Sequence, residues 1–324
     1  MPVTAETPTE KWSGKVREVT LGATPADGGT RTRTVTVGGE TALPFLHFEG
    51  EFPNPPVVAL EIDSGYPADW SQTLLDAWGD VVNDPAAWAT KAEEAGADII
   101  MLKLRGEDAG GNQTTPAQVT EIVKNALAAT GLPLIILGPG QVELDNELLV
   151  AAAEAAAGER VALGMCEDKN YRTIAAAALA HGQLVVSSSP IDVNIAKQVN
   201  ILLTDMSIPA DRILMDPTTG ALGYGLEYTY SVMERLRIAA LQGDSMTQQP
   251  MFCLAGLESW RQKESKVSKG VPEEWGDFEK RGITWEVLTA TALLHAGADI
   301  LALRHPESVK QMQAAIKKLM AHQE

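Results

Sequence analysis

Eight short apolar runs, separated by helix-length stretches, constrain this chain more than any other feature. They are "VVALEI" (57–62), "DIIMLKL" (98–104), "LPLIILG" (132–138), "VALGMC" (161–166), "LVVSSS" (184–189), "RILMDP" (212–217), "MFCLAG" (251–256) and "DILALRHP" (299–306). Each is nearly continuous in apolar character, the pattern of parallel strands buried on both faces. The intervening stretches read as helices. In "PAQVTEIVKNALAAT", Val119, Ile122, Val123 and Ala126 share one stripe. "DNELLVAAAEAAAG" offers Asp145 as an N-cap and Gly158 as a stop, and "KNYRTIAAAALAHG" and "IDVNIAKQVNILLTDM" continue the rhythm. Twice a helix runs through Ala-Gly-Ala-Asp into a strand, with Gly96 and Gly297 as C-caps.

Eight such units predict an α/β fold, a (β/α)8 TIM barrel over residues 57–324. A doubly wound open sheet is the alternative; the count of eight and the length of 324 residues favour the barrel. Residues 1–56 read differently, as an N-terminal extension. "KVREVTLGAT" and "TRTRTVTVGG" alternate in period two, and "PADGG" (25–29) joins them with turn chemistry, which predicts a β-hairpin. The expectation is a plug at the bottom of the barrel, with a partner contact as the alternative. The segment 257–285 is long and charged for a connection after the seventh barrel strand, so it projects over the C-terminal mouth. It reads as a solvated loop with a helical turn, or else as a lid or docking surface.

Charge and composition exclude several classes. A formal net charge of -17 repels phosphate backbones and leaves no basic patch for a membrane surface. No apolar run approaches the roughly 20 residues of a membrane span. "MPVTAETPTEKW" lacks the charged-then-apolar order of a signal peptide, and a cytoplasmic protein is expected. Cys166 and Cys253 sit in apolar runs and read as reduced core residues; two cysteines cannot hold a four-cysteine iron–sulfur cluster.

In a barrel, chemistry sits at the C-terminal ends of the strands. Those ends carry Glu61, Asp63 and Ser64; Lys103 and Arg105; Gly138 to Gly140; Cys166 to Asp168; Ser187 to Ser189, with Asp192 and Asn194; Asp216, Thr218 and Thr219; Gly256, Glu258 and Ser259; and Arg304 and His305. The histidines are scattered and none pairs at a ligand spacing, so no metal site is expected. His305 reads as structural. No GxSxG elbow occurs. Lys103, beside Arg105, reads as a salt-bridged barrel lysine rather than a Schiff-base lysine.

The loop after the sixth run, "DPTTGALGYG", has Gly220, Gly223 and Gly225 in the order G-x-x-G-x-G. That reverses the dinucleotide fingerprint and follows the wrong strand, and no GK[ST] follows it. What remains is either a tight turn before a helix or a surface where bare backbone approaches a large partner. Thr218 and Thr219 supply hydroxyls there, and Leu222 and Tyr224 supply apolar contact.

"DPTTGALGYGLEYTYSVMERLRIAAL" and "SSSPIDVNIAKQVNILL", on an acidic barrel, resemble the small subunit of the corrinoid iron–sulfur protein of the acetyl-CoA decarbonylase/synthase complex and the reductive acetyl-CoA pathway. The resemblance covers essentially the whole chain. It implies a barrel paired with a large subunit that carries a [4Fe–4S] cluster and most of the corrinoid site. The cobalamin would lie between that subunit and the mouth of this barrel. Cobalt would take a methyl group from methyltetrahydrofolate through a methyltransferase and deliver it to acetyl-CoA synthase, with no turnover by this chain alone.

This sequence has no D-x-H-x-x-G corrinoid motif: His47 alone has a glycine three residues on, and position 45 is Phe. The barrel would therefore serve as a wall. Ser187, Ser188, Ser189, Asp192, Asn194, Asp216, Thr218, Thr219, Gly220, Leu222, Gly223 and Tyr224 are assigned to the face that meets the amide-fringed corrin. Two other readings compete. In one, a pterin-dependent methyltransferase on the same fold holds its pterin with Asn194 and Asp216; in the other, a lyase or aldolase uses Lys103.

Overall fold

The computed structural model describes residues 7–108 and 110–321. Its core is a closed barrel of eight parallel strands. The elements run β1 (Val19–Leu21), β2 (Val35–Val37), β3 (Val57–Asp63), α1 (Gln72–Trp78), α2 (Pro85–Glu94), β4 (Ile99–Lys103), α3 (Pro116–Ala129), β5 (Leu134–Leu137), α4 (Val142–Ala155), β6 (Ala162–Cys166) and α5 (Tyr171–His181). They continue with β7 (Leu184–Ser188), α6 (Val193–Asp205), β8 (Ile213–Asp216), α7 (Leu226–Leu241), β9 (Met251–Cys253), α8 (Ala255–Arg261), α9 (Lys263–Lys266), α10 (Phe278–Ala296), β10 (Ala298–Leu303) and α11 (Pro306–Met320). Strands β3 to β10 follow one another around the barrel, and β10 closes on β3. All eight apolar runs are barrel strands.

Alternation along each strand divides the core in two. Ala59, Ile99, Met101, Ile135, Val186, Leu214, Phe252 and Ile300 fill the barrel interior. Leu60, Ile100, Ile136, Val185, Met215 and Leu301 face the helices, where they meet stripes such as Val119, Val123 and Ala126 of α3. Gly297 caps α10 in the left-handed region (φ 108°), as the Ala-Gly-Ala-Asp joint requires. One helix start differs from expectation. Gln141, not Asp145, caps α4; Asp145 lies buried in its first turn, where its Oδ1 accepts the Gly140 N–H at 2.9 Å.

The hairpin is present, antiparallel, with Val19 opposite Val37 and Leu21 opposite Val35. Val19, Leu21, Val35 and Val37 join the same cluster as the barrel interior, so the hairpin plugs the bottom. Arg31, 1% exposed, anchors the connection between its strands. It donates to Glu159 (2.8 Å) and to the carbonyls of Thr130 (2.6 Å) and Leu127 (2.7 Å).

The 257–285 segment is mostly helical rather than a loop. It comprises most of α8, all of α9, a 3-10 turn at Glu273–Trp275 and the start of α10. Arg281 ties it together by donating to the carbonyls of Glu264 and Val267 and stacking on Trp275 and Phe278.

Candidate functional site

With the hairpin packed against its bottom, the barrel interior faces the C-terminal mouth. There the inward positions change from apolar to polar. Strand β3 places Val57 and Ala59 inward below Glu61 and Asp63, and β4 places Ile99 and Met101 below Lys103. Strand β7 places Leu184 and Val186 below Ser188, β8 places Leu214 below Asp216, and Ile300 and Ala302 of β10 lead to Arg304. Period two therefore assembles a polar top layer over an apolar core.

That layer has two chemically distinct halves. The first is rich in hydroxyls and stands over β6, β7 and β8. Glu167, Asp168, Lys169, Ser188, Ser189, Pro190, Ile195 and Thr218 line a cavity of about 350 Å³. Asp216 is bonded to two of these residues; its Oδ1 accepts the Thr218 N–H (3.0 Å) and its Oδ2 the Ser188 hydroxyl (3.2 Å). Burial pushes the Asp216 carboxyl up to about 7, against the pull of these two bonds. The Ser189 hydroxyl is buried and has no partner among the described residues, although the residue lines the cavity. An unmade bond of this kind costs about 1–3 kcal/mol. Ile191 (φ 52°) and Thr218 (φ 62°) hold left-handed conformations beside it, which β-branched residues adopt only at a cost.

The glycine loop forms a tight, self-bonded turn here. Gly220 donates to the Thr229 hydroxyl at 2.7 Å, and a Cβ on it would sit 2.6 Å from the Gly225 carbonyl carbon. Gly223 (φ 75°) faces open space, and Tyr224 is 47% exposed, its hydroxyl donating to Glu264 at 3.2 Å. Gly220 thus serves the turn, and Gly223 leaves backbone open on the loop's outer side.

The second half stands over β3, β4, β5 and β10. Glu61, Asp63, Asp69, Trp70, Lys103, Arg105, Glu107, Gln141 and Arg304 line a cavity of about 400 Å³, together with Leu104, Gly106, Pro139 and Leu257. Arg304 makes a two-pronged ion pair with Glu61 (2.8 and 2.6 Å) and lies 4.8 Å from the Trp70 ring centre. Arg105 bridges Asp63 (2.9 Å) and Asp69 (2.7 Å). Lys103 departs from expectation: its ammonium donates to the Gly138 carbonyl and is in ion-pair contact with no carboxylate among the described residues. Burial lowers its pKa, against the pull of Glu61. Burial also pushes Asp63 up to about 7, with Arg105 opposing.

The residues assigned to the corrin face do not all converge. Ser188, Ser189 and Thr218 share the hydroxyl-lined cavity, with Asp216 bonded beneath them. Ser187 points the other way, into the helix layer, bonded to Asn200 of α6 at 2.7 Å. Asp192 caps α6 through the Asn194 and Ile195 N–H groups, and the Asn194 side chain is exposed. Thr219 is buried and accepts the Leu254 N–H at 3.0 Å, and Leu222 packs against the helix-side core. Asn194 and Asp216, the pterin candidates, therefore have separate environments. Glu61, Asp63, Lys103 and Arg304 stood among the strand ends but not in the assigned face; strand parity, counted upward from the apolar residues below them, was the signal that would have added them. His305 caps α11, its Nδ1 accepting the Glu307 N–H at 3.0 Å, and burial lowers its pKa to about 4, as a structural neutral histidine requires. Among the described residues, no group of three or more His, Cys, Asp or Glu side chains is placed to hold a metal ion.

Fold and mouth together define a bottom-plugged (β/α)8 barrel whose C-terminal end carries two polar cavities. The chain belongs to the CO dehydrogenase/acetyl-CoA synthase delta subunit family, whose model matches residues 18–317. It is 37% identical to the acetyl-CoA decarbonylase/synthase complex subunit delta of Archaeoglobus fulgidus, over 96% of this chain and 70% of that protein. With the subunit of the same name from Methanopyrus kandleri it shares 38% identity over 94% of this chain and 75% of that one. Among solved structures it resembles dihydropteroate synthase from Xanthomonas albilineans in complex with 7,8-dihydropteroate (TM-score 0.57, 15% identity, 87% of this chain and all of that one). The enzyme of the same name from Thermus thermophilus is similar (TM-score 0.53, 14% identity, 86% of this chain and all of that one). At that identity the likeness is one of fold. No helix among the described residues is long and apolar enough to cross a membrane.

Proposed function

We propose that this chain is the wall subunit of a corrinoid methyl carrier within an acetyl-CoA decarbonylase/synthase complex. A large subunit would hold the cobalamin and a [4Fe–4S] cluster, and the mouth of this barrel would cover the corrin. The chain would turn nothing over alone. A corrinoid supplies a metal centre that takes up and gives away a methyl group; this chain's residues bind its rim and keep water away.

The observation that carries this reading is the hydroxyl-lined cavity with the Ser189 hydroxyl, unpartnered among the described residues, at the same end of the barrel as a glycine loop open at Gly223. Carboxamides fringe a corrin and both donate and accept, so hydroxyls and bare backbone suit them. Ser188, Ser189 and Thr218 would hold those groups, and Gly223 with Tyr224 would meet the edge of the ring. A methyltransferase would load the methyl group from methyltetrahydrofolate, and acetyl-CoA synthase would receive it. Both must reach the cobalt, so the wall has to part from its partner.

The test is a visible spectrum and a cobalt assay on the chain expressed alone and on the complex it forms in its native lysate. A colourless lone chain and a coloured complex with a larger, iron-containing partner are expected. Stoichiometric cobalt on the lone chain would make the barrel the carrier itself, and absence of both colour and partner would overturn the reading.

A further inference from the structure

The charged half of the mouth contains a donor and an acceptor that the chain leaves unused. Asp63 and Lys103 are register partners on adjacent parallel strands, so both side chains rise into the mouth about 4.8 Å apart at the backbone. They do not pair with each other. Asp63 is drawn to one side: its Oδ1 accepts the Gly65 N–H (3.3 Å) and is ion-paired with the Arg105 Nε (2.9 Å), and its Oδ2 has no partner among the described residues. Lys103 is drawn to the other, toward the Gly138 carbonyl at the end of β5. An ammonium has three N–H donors, and Gly138 uses one. Both residues line the same cavity of about 400 Å³.

We propose that Asp63 and Lys103 form a two-point clamp for a primary carboxamide, with Lys103 donating to its carbonyl and Asp63 Oδ2 accepting from its amino group. The spacing suits such a group, because the O and N of an amide diverge and can reach two partners on neighbouring strands. The charge balance selects a neutral ligand. With Asp63 ionised, above about pH 7, four carboxylates (Glu61, Asp63, Asp69 and Glu107) face three cations (Lys103, Arg105 and Arg304), so a carboxylate ligand meets a net negative field. The guanidinium groups of Arg304 and Arg105 are already committed to Glu61, Asp63 and Asp69 and do not offer a fork to an anion. As a grip on a side arm of the corrin, the clamp rests on the function proposed above; as a carboxamide subsite, it stands without it.

The test separates the two. Backbone amide NMR spectra of the full chain are followed during titration with propionamide, propionate and cobalamin in turn. Propionamide is expected to shift Asp63, Lys103 and their neighbours at lower concentration than propionate, and Lys103→Met to weaken the effect about tenfold, the worth of one hydrogen bond to a charged group. A propionate response as strong as that of propionamide, or no response to either in the wild-type chain, would overturn the clamp; this readout needs no variant to fold. Cobalamin shifts at both halves of the mouth would extend the clamp to the corrin. Cobalamin shifts confined to Ser188, Ser189 and Thr218 would keep the wall reading and remove the clamp from it. A propionamide response with no cobalamin response from the lone chain or its native complex would leave the carboxamide subsite standing and sink the corrinoid reading.

Discussion

Replacing Arg304 by Met tests whether the mouth is held as described. Arg304 is 4% exposed and Glu61 1%, and two charge-assisted bonds of 2.8 and 2.6 Å join them. Arg304→Met deletes both bonds and the contact with Trp70, and leaves Glu61 charged in the interior. Breaking a buried pair in this way costs about 3–5 kcal/mol, and a partly desolvated cation–π contact adds roughly 1–2. The double variant Glu61→Gln/Arg304→Met removes the stranded charge and should recover about half of the loss or more. Urea unfolding followed by far-UV circular dichroism and by tryptophan fluorescence measures both. A loss below about 1 kcal/mol, or a double variant as unstable as the single one, would refute the reasoning.

Three further perturbations follow. Asp216 is raised to about 7 by burial, so its contribution is full below its unfolded pKa near 3.8 and is lost as pH rises through about 7; melting temperatures should fall over that window, and Asp216→Asn should flatten the fall, worth on the order of 4 kcal/mol at pH 8. Gly220→Ala should cost more than Gly223→Ala, because the first drives a Cβ into the Gly225 backbone while the second bears only left-handed strain of about 1–2 kcal/mol; urea midpoints rank the two. Arg31→Met should cost about 3–5 kcal/mol, and hydrogen exchange should show residues 19–37 opening first, since Arg31 ties the plug to Glu159 and to the carbonyls after α3.

Much of the barrel was legible because it is written in a local code. A parallel strand covered on both faces must be apolar throughout, so each strand announces itself without its neighbours. The hairpin was legible for the complementary reason, its period of two. The side chains of the mouth were less so. Ser187 and Ser188 are adjacent and identical in type, yet one bonds Asn200 in the helix layer and the other bonds Asp216 at the mouth; only strand parity tells them apart. Lys103 was misjudged because its alternative partner, the Gly138 carbonyl, lies 35 residues away and on the next strand. Asp145 looked like a cap because caps are read from residue type, and its true partner, the Gly140 N–H, lies in the loop before the helix. The helical character of 257–285 depends on Arg281 reaching back to the Glu264 and Val267 carbonyls, which no local pattern declares.

The polar top layer argues for a binding role independently of any relative. The inward column of each strand begins apolar, and an apolar top layer would complete it at lower cost. Instead the chain buries Glu61, Asp63, Asp216, Lys103 and Arg304, groups whose desolvation works against folding. The ion pairs offset part of that cost in the charged half. In the other half the Ser189 hydroxyl has no partner among the described residues, whereas the left-handed Thr218 is held by bonds to Asp216, to the Ser189 carbonyl and from Thr229, and Ile191 by its N–H to the Ser189 carbonyl. Buried polar atoms without partners also occur away from the mouth, at Trp88 Nε1 and Trp285 Nε1 for example, so it is the coincidence of such an atom with a cavity at Ser189 that fits a binding face. The two halves also divide the labour. Hydroxyls rotate and accept a neutral fringe in many orientations, whereas Asp63 and Lys103 offer one acceptor and one donor in fixed order. Under the function proposed above, a broad ligand spanning the mouth would be tolerated by the first half and oriented by the second.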